Sequence, residues 1–349
     1  LTVMCGTGHV AYTMFPIIYD IAINKGIRPE RPMAVASVSA QIGICASPVS
    51  VAVVSMVSML AQGQGAGPAI SIITLLAVSI PATFVGVLCA GLWSMHRGKD
   101  LDKDPDFQAK LADPETKAYI YGGSSTLLDK VFPPEAYRAV MFFFIAIAAV
   151  VILGAFSELR PSFGAAGKAQ PLSMNIVIQM VMLIAGACIL MFCKVKQQTI
   201  PNSAVFKAGM VAIFSVFGVA WMTDSFFHAH LQVIKTNLAA VVTDYPWTYA
   251  IVLVIVSKLV NSQAAALAAV VPLGLSLGLP PKMLLAFMPM CYGYFILPTY
   301  PSDLACINFD RSGTTHIGKF IINHSFIIPG AIGITCGTLM SYMLVSIFL

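Results

Sequence analysis

The stretch Gly6-Thr7-Gly8-His9 leads into an apolar run that contains Pro16, and Asn261-Ser262-Gln263-Ala264 leads into a second apolar run that contains Pro272. Three residues behind these stretches recur in the same order and spacing: Met33, Gly43 and Pro48 return as Met283, Gly293 and Pro298. Duplicated apolar segments, each interrupted by small, polar and proline residues in corresponding places, are typical of a secondary transporter. They form the broken helices at its substrate site. The sequence therefore predicts two related halves with broken helices.

The composition indicates a membrane protein. Of the 349 residues 58% are hydrophobic and only 10% are charged, against a charged share of about 25% in soluble domains. Several apolar segments reach the roughly 20 residues that a helix needs to cross a bilayer. We therefore expect an all-α integral membrane protein. Because the chain begins inside an apolar segment, we also expect it to be an N-terminally truncated fragment, with on the order of a hundred further residues ahead of it by repeat symmetry.

The positions of the cations predict the orientation. Lys25, Arg28 and Arg31 fill the first connection, whereas residues 62–69 carry no cation and are rich in glycine. By the positive-inside rule the first connection is cytoplasmic and the second lies outside. Continuing the alternation places residues 96–138 inside and the later connection at 278–282 outside. The two halves are then inverted relative to each other, as alternating access requires.

The domain organisation follows from this orientation. Residues 1–95 are interpreted as the later part of the first inverted repeat, 96–138 as a cytoplasmic linker, and 139–349 as the second inverted repeat. In the second repeat we expect spanning helices at 139–156, 172–193 and 207–227, a re-entrant hairpin at about 247–279, a span at 283–307 and a last span at 320–349.

Two mid-membrane helix starts form the predicted substrate site. The first N–H groups of a helix lack partners and carry a partial positive charge, so they attract anions. A short molecule with a carboxylate at each end can bind one start with each end. Thr7 and Ser262 can donate hydroxyls, Asn261 and Gln263 can donate amides, and Gly6 and Gly8 allow close backbone approach. The alternative for each hydroxyl is a hydrogen bond to its own helix.

Ionisable side chains at membrane depth give the second signal, because such residues are costly there and usually functional. Lys258 precedes Asn261 by one helical turn, and Asp303 follows a proline-rich break that contains Pro298 and Thr299, which we include in the site. Lys258 and Asp303 either form a structural ion pair or take part in binding and gating. In the second case Lys258 attracts a dianion, and Asp303 balances the charge of Lys258 when the site is empty.

Other functions find little support. Arg311 and His316 are expected at the cytoplasmic mouth, where they can collect anions. The chain has no P-loop spacing of glycine and lysine and no CxxC pair, so we expect no cofactor, no metal and no nucleic-acid partner. An intramembrane enzyme is the alternative from another class, but no nucleophile stands beside a base at a recognisable spacing.

At these residues the chain resembles the anaerobic C4-dicarboxylate transporters of the Dcu type. The strings that carry the resemblance run through the whole chain: CGTGHVAYT from Cys5, IRPERPMA from Ile27, ASPVSVAVVS from Ala46, RGKDLDKD from Arg97, LRPSFG from Leu159, SKLVNSQAAALAA from Ser257, ILPTYPSDLA from Ile296 and FDRSGTTHIG from Phe309.

The resemblance implies a carrier of the bacterial inner membrane that takes in fumarate, malate or aspartate and releases succinate during anaerobic growth. It also implies the fold of the larger ion-transporter superfamily, in which polar tripeptides at the tips of two re-entrant hairpins bind carboxylates. Asn261-Ser262-Gln263 and Thr7 occupy the equivalent places, although the first tip lacks an amide. The resemblance suggests a membrane sensor kinase as a partner. A homo-oligomer is a separate expectation. A carrier for another small organic anion, coupled to Na⁺ or H⁺, is the alternative.

Overall fold

The computed structural model describes residues 1–48, 50–62, 70–121, 131–163, 170–172, 174–202 and 245–349, together with single positions between 206 and 244. The expected span at 207–227 and residues 122–130 of the linker lie outside the described residues. Within these ranges the chain is predominantly helical, as predicted. Two short strands, β1 (Ser162–Phe163) and β2 (Gln170–Pro171), pair antiparallel with Ser162 opposite Pro171.

The helices of the first half and the linker are α1 (Thr2–Cys5), α2 (Ala11–Asn24), α3 (Glu30–Ile42), α4 (Val51–Gln62), α5 (Ile72–Met95), α6 (Pro105–Leu111) and α7 (Pro114–Tyr121). The second half contains α8 (Pro134–Ala155), α9 (Met174–Phe192), α10 (Thr248–Val260), α11 (Gln263–Ser276), α12 (Pro281–Ala286), a 3₁₀ helix (Met288–Ile296), α13 (Pro301–Phe309) and α14 (Ile327–Phe348).

Two of the interruptions lie at the predicted tips. Gly6 ends α1 in the left-handed region at φ 69°, and Asn261 separates α10 from α11 in the same region at φ 48°. Glycine adopts this conformation freely, and asparagine is among the few other residues that tolerate it. A 3₁₀ turn at Gly8–Val10 then leads into α2, whereas α11 begins directly at Gln263.

The other two interruptions carry the recurring prolines. Ser47 is extended before Pro48, between a 3₁₀ turn and α4, and Leu297 is extended before Pro298, between the long 3₁₀ helix and α13. A residue before proline is driven out of the helical region, which explains both breaks. The helices on either side of the second break are bent by 55°.

The described helices meet the requirement for a membrane protein. Three segments are long and apolar enough to cross a bilayer, namely Glu30–Leu60, Ile72–Met95 and Ile327–Phe348, and the bent pair Pro281–Ile296 and Pro301–Phe309 adds a broken fourth. We expected the last helix to begin at residue 320, but it begins at Ile327. The residues before it form a folded-back loop instead. Gly318 N–H donates to Asn323 O at 2.6 Å, and His324 Nε2 lies 3.1 Å from the Ile296 carbonyl oxygen.

The two halves interleave. α2 packs against α13, and α11 packs against α4, so each helix that follows a tip lies against the broken helix of the other half. α5 and α14 pack closely, and a Cβ on Gly86 would approach the Gly333 carbonyl oxygen to 2.3 Å. Small residues allow such contact between membrane helices. The interleaving brings the two tips towards one another.

Loops that the charge pattern assigns to one face do meet. The buried carboxylate of Glu30 receives Arg28 Nε and Arg97 Nη2 at 2.9 Å each, and the Ser325 hydroxyl at 2.7 Å. This joins the first connection, the start of the linker and the segment before α14. Arg31 adds an ion pair with Asp100 at 2.8 Å. Whether this face is the cytoplasmic one stays a prediction.

Candidate functional site

Lys258 lies where the second tip meets the second proline break. Its ammonium donates to Asn261 Oδ1 at 3.1 Å and to Thr299 Oγ1 at 2.8 Å. It also donates to the carbonyl oxygens of Leu297 at 3.1 Å and Tyr294 at 3.3 Å. The break exposes these carbonyls because Leu297 and the residues around it leave the helical hydrogen-bond pattern. One cation therefore joins α10 to the broken helix.

The second tip presents its polar atoms at the start of α11. Asn261 is half-buried, and because its carbonyl oxygen accepts from Lys258, its amide NH₂ remains a donor. The Ser262 hydroxyl accepts from Ala265 N at 3.3 Å as the N-cap of α11. This is the alternative that the sequence left open, a bond to the residue's own helix. A hydroxyl that accepts in this way keeps its own proton for donation.

The structure corrects the role assigned to the Gln263 amide. Gln263 was expected to offer its amide to the substrate, but it is 3% exposed and bonds to protein through both ends of the amide. Nε2 donates to Gln41 O at 2.8 Å and to the Tyr294 hydroxyl at 3.2 Å, and Oε1 accepts from Cys45 Sγ at 3.3 Å. Burial of an amide requires such partners. Gln263 braces the two halves against each other.

The first tip also contacts Gln41, the residue to which Gln263 is bonded. A Cβ on Gly8 would lie 2.3 Å from Gln41 Nε2, so Gly8 is in direct contact with that amide. Thr7 Oγ1 accepts from His9 N at 3.4 Å and so caps its own helix, like Ser262. The His9 ring stacks on Tyr300, with centroids 6.0 Å apart. Both tips thus converge on the space around Gln41 and Tyr300.

Pro298 and Thr299 differ in exposure. Pro298 is buried and shapes the break, whereas Thr299 is exposed and carries the hydroxyl that Lys258 contacts. Of these two residues, only Thr299 has an exposed side chain.

Asp303 lies in the first turn of α13 and is 1% exposed. Its Oδ1 accepts from the Ser37 hydroxyl at 2.7 Å, and its Oδ2 is buried without a hydrogen-bond partner. Among the described residues, no direct ion pair joins it to Lys258, which bonds to Asn261, Thr299 and two carbonyl groups instead. The structural pair that the sequence allowed is therefore not formed as a contact.

Sequence reasoning missed the residues that hold the site together. The Tyr294 hydroxyl donates to Gln41 Oε1 at 2.7 Å, and Gln41 Nε2 donates to the Ser302 hydroxyl at 3.1 Å. A signal was present: Ser37 and Gln41 are four residues apart on α3, so they share one face of that helix.

The structure separates the two residues assigned to the cytoplasmic mouth. Arg311 Nη2 contacts Asp20 Oδ1 at 3.2 Å, and its guanidinium lies 4.9 Å from the centre of the Tyr19 ring. His316 lies by the Glu30 cluster, with Nδ1 4.0 Å from Glu30 Oε1. Nearby, the hydrogen bond and charge of Arg31 hold the pKa of Asp100 below its usual value.

Apolar spanning helices, two helix starts that converge, and a lysine at their junction define a secondary transporter. Comparison with known proteins gives the family. The sequence model of the anaerobic C4-dicarboxylate membrane transporters matches residues 1–349. The chain therefore belongs to this family and is a multi-pass membrane protein. It is a transporter family, in agreement with the prediction that the protein is not an enzyme.

Curated relatives match over the full chain. The anaerobic C4-dicarboxylate transporter DcuB of Escherichia coli O6:H1 is 54% identical over 348 residues, which cover 100% of this chain and 77% of that protein. The C4-dicarboxylate transporter DcuA of Wolinella succinogenes is 35% identical over 349 residues, with coverage of 100% and 77%. DcuA of Escherichia coli K12 is 35% identical over 356 residues, with coverage of 100% and 78%. No solved structure matched.

Proposed function

We propose that the protein exchanges C4-dicarboxylates across the bacterial inner membrane during anaerobic growth, taking in fumarate, malate or aspartate and releasing succinate. The observation that supports this most is the position of Lys258. A cation in the membrane interior, held at the junction of a hairpin tip and a broken helix, attracts a dianion and offsets part of the cost of removing it from water.

The substrate lies between the two tips in this proposal. One carboxylate binds near Lys258, where the Asn261 amide, the Ser262 hydroxyl and the Thr299 hydroxyl are donors. The other carboxylate binds at the Thr7 hydroxyl and the backbone of Gly6 and Gly8. Two helix starts together supply only about one unit of positive charge, so a dianion needs the lysine as well.

Alternating access follows from the interleaved halves. If the repeats are inverted, α2 and α11 move against the broken helices of the opposite half, and the site opens first to one side and then to the other. Asp303 is a gating residue in this view. Asp303 lies in the first turn of α13, directly after the break that must rearrange when Lys258 takes up a substrate carboxylate.

Counterflow in proteoliposomes tests the function. We expect labelled succinate to enter faster when unlabelled fumarate is inside. Flux without acceleration by internal fumarate would indicate a channel, and no flux would contradict transport. A dependence on an imposed Na⁺ or H⁺ gradient in the absence of internal substrate would favour the alternative, a carrier coupled to a cation.

Orientation has its own test. In intact cells an impermeant thiol reagent should label Gln170→Cys and spare Asp113→Cys, because the charge pattern places the linker inside. Labelling of Asp113→Cys would reverse the topology. Two partners are also proposed: a second copy of the chain and, from the family resemblance alone, a membrane sensor kinase. Co-purification from membranes tests both.

A further inference from the structure

The cavity beside Arg311 lies away from the two tips. It has a volume of about 280 Å³ and is bounded by α2, α7 and the end of α13, with Asp20, Tyr119, Asn308 and Arg311 on its wall. A cavity of this size holds several water molecules, and a short dicarboxylate fits into such a space. Tyr119 on its wall belongs to the linker, which the charge pattern assigns to the cytoplasm.

Arg311 contacts one carboxylate, whereas Arg28 contacts two. Arg28 contacts both Glu30 and Asp104, and Arg97 contacts Glu30 and the Ser325 carbonyl. Arg311 makes one contact with a carboxylate, a single bond from Nη2 to Asp20 Oδ1 at 3.2 Å, and both side chains remain partly exposed, at 20% and 17%.

The guanidinium is nevertheless fixed in direction. It lies against the face of the Tyr19 ring, and the Tyr19 hydroxyl donates to Ile120 O at 3.1 Å, which anchors the ring to α7. A guanidinium has five N–H donors and binds a carboxylate best through two parallel bonds. One bond to Asp20 leaves that two-bond geometry to another carboxylate.

We propose that this cavity is a carboxylate-binding vestibule, in which Arg311 receives one end of a C4-dicarboxylate on the cytoplasmic side and Asp20 is the internal carboxylate that the substrate displaces. Asn308 and the Tyr119 hydroxyl are additional polar groups on the wall. The vestibule raises the local concentration of dianion at one face only. It rests on the proposed function and adds to it a site, a ligand group and an internal competitor.

Sidedness is the decisive readout. Succinate exchange is measured in inverted vesicles, where the cytoplasmic face is outside, and in right-side-out vesicles. For Arg311→Gln we expect an apparent Km about tenfold higher at the cytoplasmic face and unchanged at the other face. For Asp20→Asn we expect a severalfold lower Km at the cytoplasmic face, because the competitor is gone.

Arg138→Gln is the matched control. Arg138 contacts Glu135 Oε1 at 3.1 Å and is 46% exposed, so its loss changes the surface charge of the linker region equally. We expect no change in Km. An equal rise of the Km in Arg138→Gln would reduce the effect to general surface charge and overturn the vestibule. Equal changes of the Km at both faces, or an unchanged Km in Asp20→Asn, would also overturn it. If Arg311→Gln inserts poorly, Asp20→Asn decides alone. Absence of exchange in the wild type would instead contradict the proposed function.

Discussion

The two tips both interrupt a helix in the left-handed region, but they do so with different residues. At the second tip a polar tripeptide stands at the start of α11, with Lys258 one turn before it on α10. At the first tip Gly6 and Gly8 flank a single hydroxyl residue, and Gly8 makes room for Gln41 of the neighbouring helix. The second tip supplies charge and amide donors, whereas the first supplies backbone and close packing. The comparison teaches that two helix breaks need not share side chains to share a left-handed backbone geometry.

A matching contact supports the relationship. A Cβ on Gly43 would lie 3.3 Å from Thr2 Cβ, and a Cβ on Gly293 would lie 2.6 Å from Ser257 Oγ. Each of these recurring glycines therefore contacts the helix that precedes a tip. Replacement would separate the helix from the tip it supports.

The largest effect is expected at the charged tip. Lys258→Met removes the cation and leaves the Leu297 and Tyr294 carbonyl groups without their donor. We expect normal insertion and a fall in succinate exchange on the order of 100-fold, from the loss of more than one charge-assisted bond. Lys282→Met, which removes an exposed lysine of the same half, is the control and should be neutral. Vesicle counterflow measures both.

The double variant Lys258→Met with Asp303→Leu separates binding from structure. If the two residues only balance each other, removing both should restore exchange, because no unpaired buried charge remains. A role in substrate binding predicts that it stays inactive. Near wild-type exchange would exclude that role.

The packed tip should respond next, and through stability. Gly8→Ala places a methyl group 2.3 Å from Gln41 Nε2, so the Gln41 side chain must move away from Tyr294. We expect a loss of roughly 1–3 kcal/mol in the free energy of unfolding, as for other overpacked sites, together with reduced exchange. Gly91→Ala has no atom within 4 Å of its new Cβ and should be neutral or stabilising. Thermal unfolding in detergent reports the difference, and equal midpoints for the two variants would refute the contact.

The hydroxyls should have a smaller effect that compares the tips directly. Ser262→Ala and Thr7→Val each remove one donor, and we expect each to weaken apparent succinate affinity about tenfold. Ser71→Ala is the control, because Ser71 caps α5 through Thr74 N at 3.1 Å and lies outside the site. It should lower stability by about 0.5–2 kcal/mol without changing affinity. Wild-type affinity in both tip variants would end the assignment.

The smallest effect is expected far from both tips. Arg31 lowers the pKa of Asp100 in the folded protein, so the stabilisation from this pair is present above the unfolded pKa and is lost as pH falls through the folded one. Asp100→Asn should flatten that acid limb of the unfolding midpoint slightly and leave exchange unchanged at pH 7. A change in exchange would show that damage at the loops also reaches the tips.

The breaks were predictable because proline, glycine and asparagine constrain the backbone locally. Gly6, Asn261, Pro48 and Pro298 act through their own φ angles or through those of the preceding residue. Side-chain partners were not predictable in this way. That Gln263 bonds to Gln41 and Tyr294, or that Lys258 bonds to carbonyls and not to Asp303, depends on which helices interleave. The start of α14 was misplaced because apolar residues 320–322 have the composition of a span but belong to a loop.

Protection of the two tips by substrate tests the central claim most directly. Thr7→Cys and Ser262→Cys are alkylated in membranes at increasing succinate concentration, and mass spectrometry follows each labelled peptide. Butyrate, which lacks one carboxylate, is the control. If one dianion spans both tips, succinate slows alkylation at both positions with the same half-maximal concentration, and butyrate slows neither at that concentration. Protection at one tip only, or equal protection by butyrate, would contradict the account.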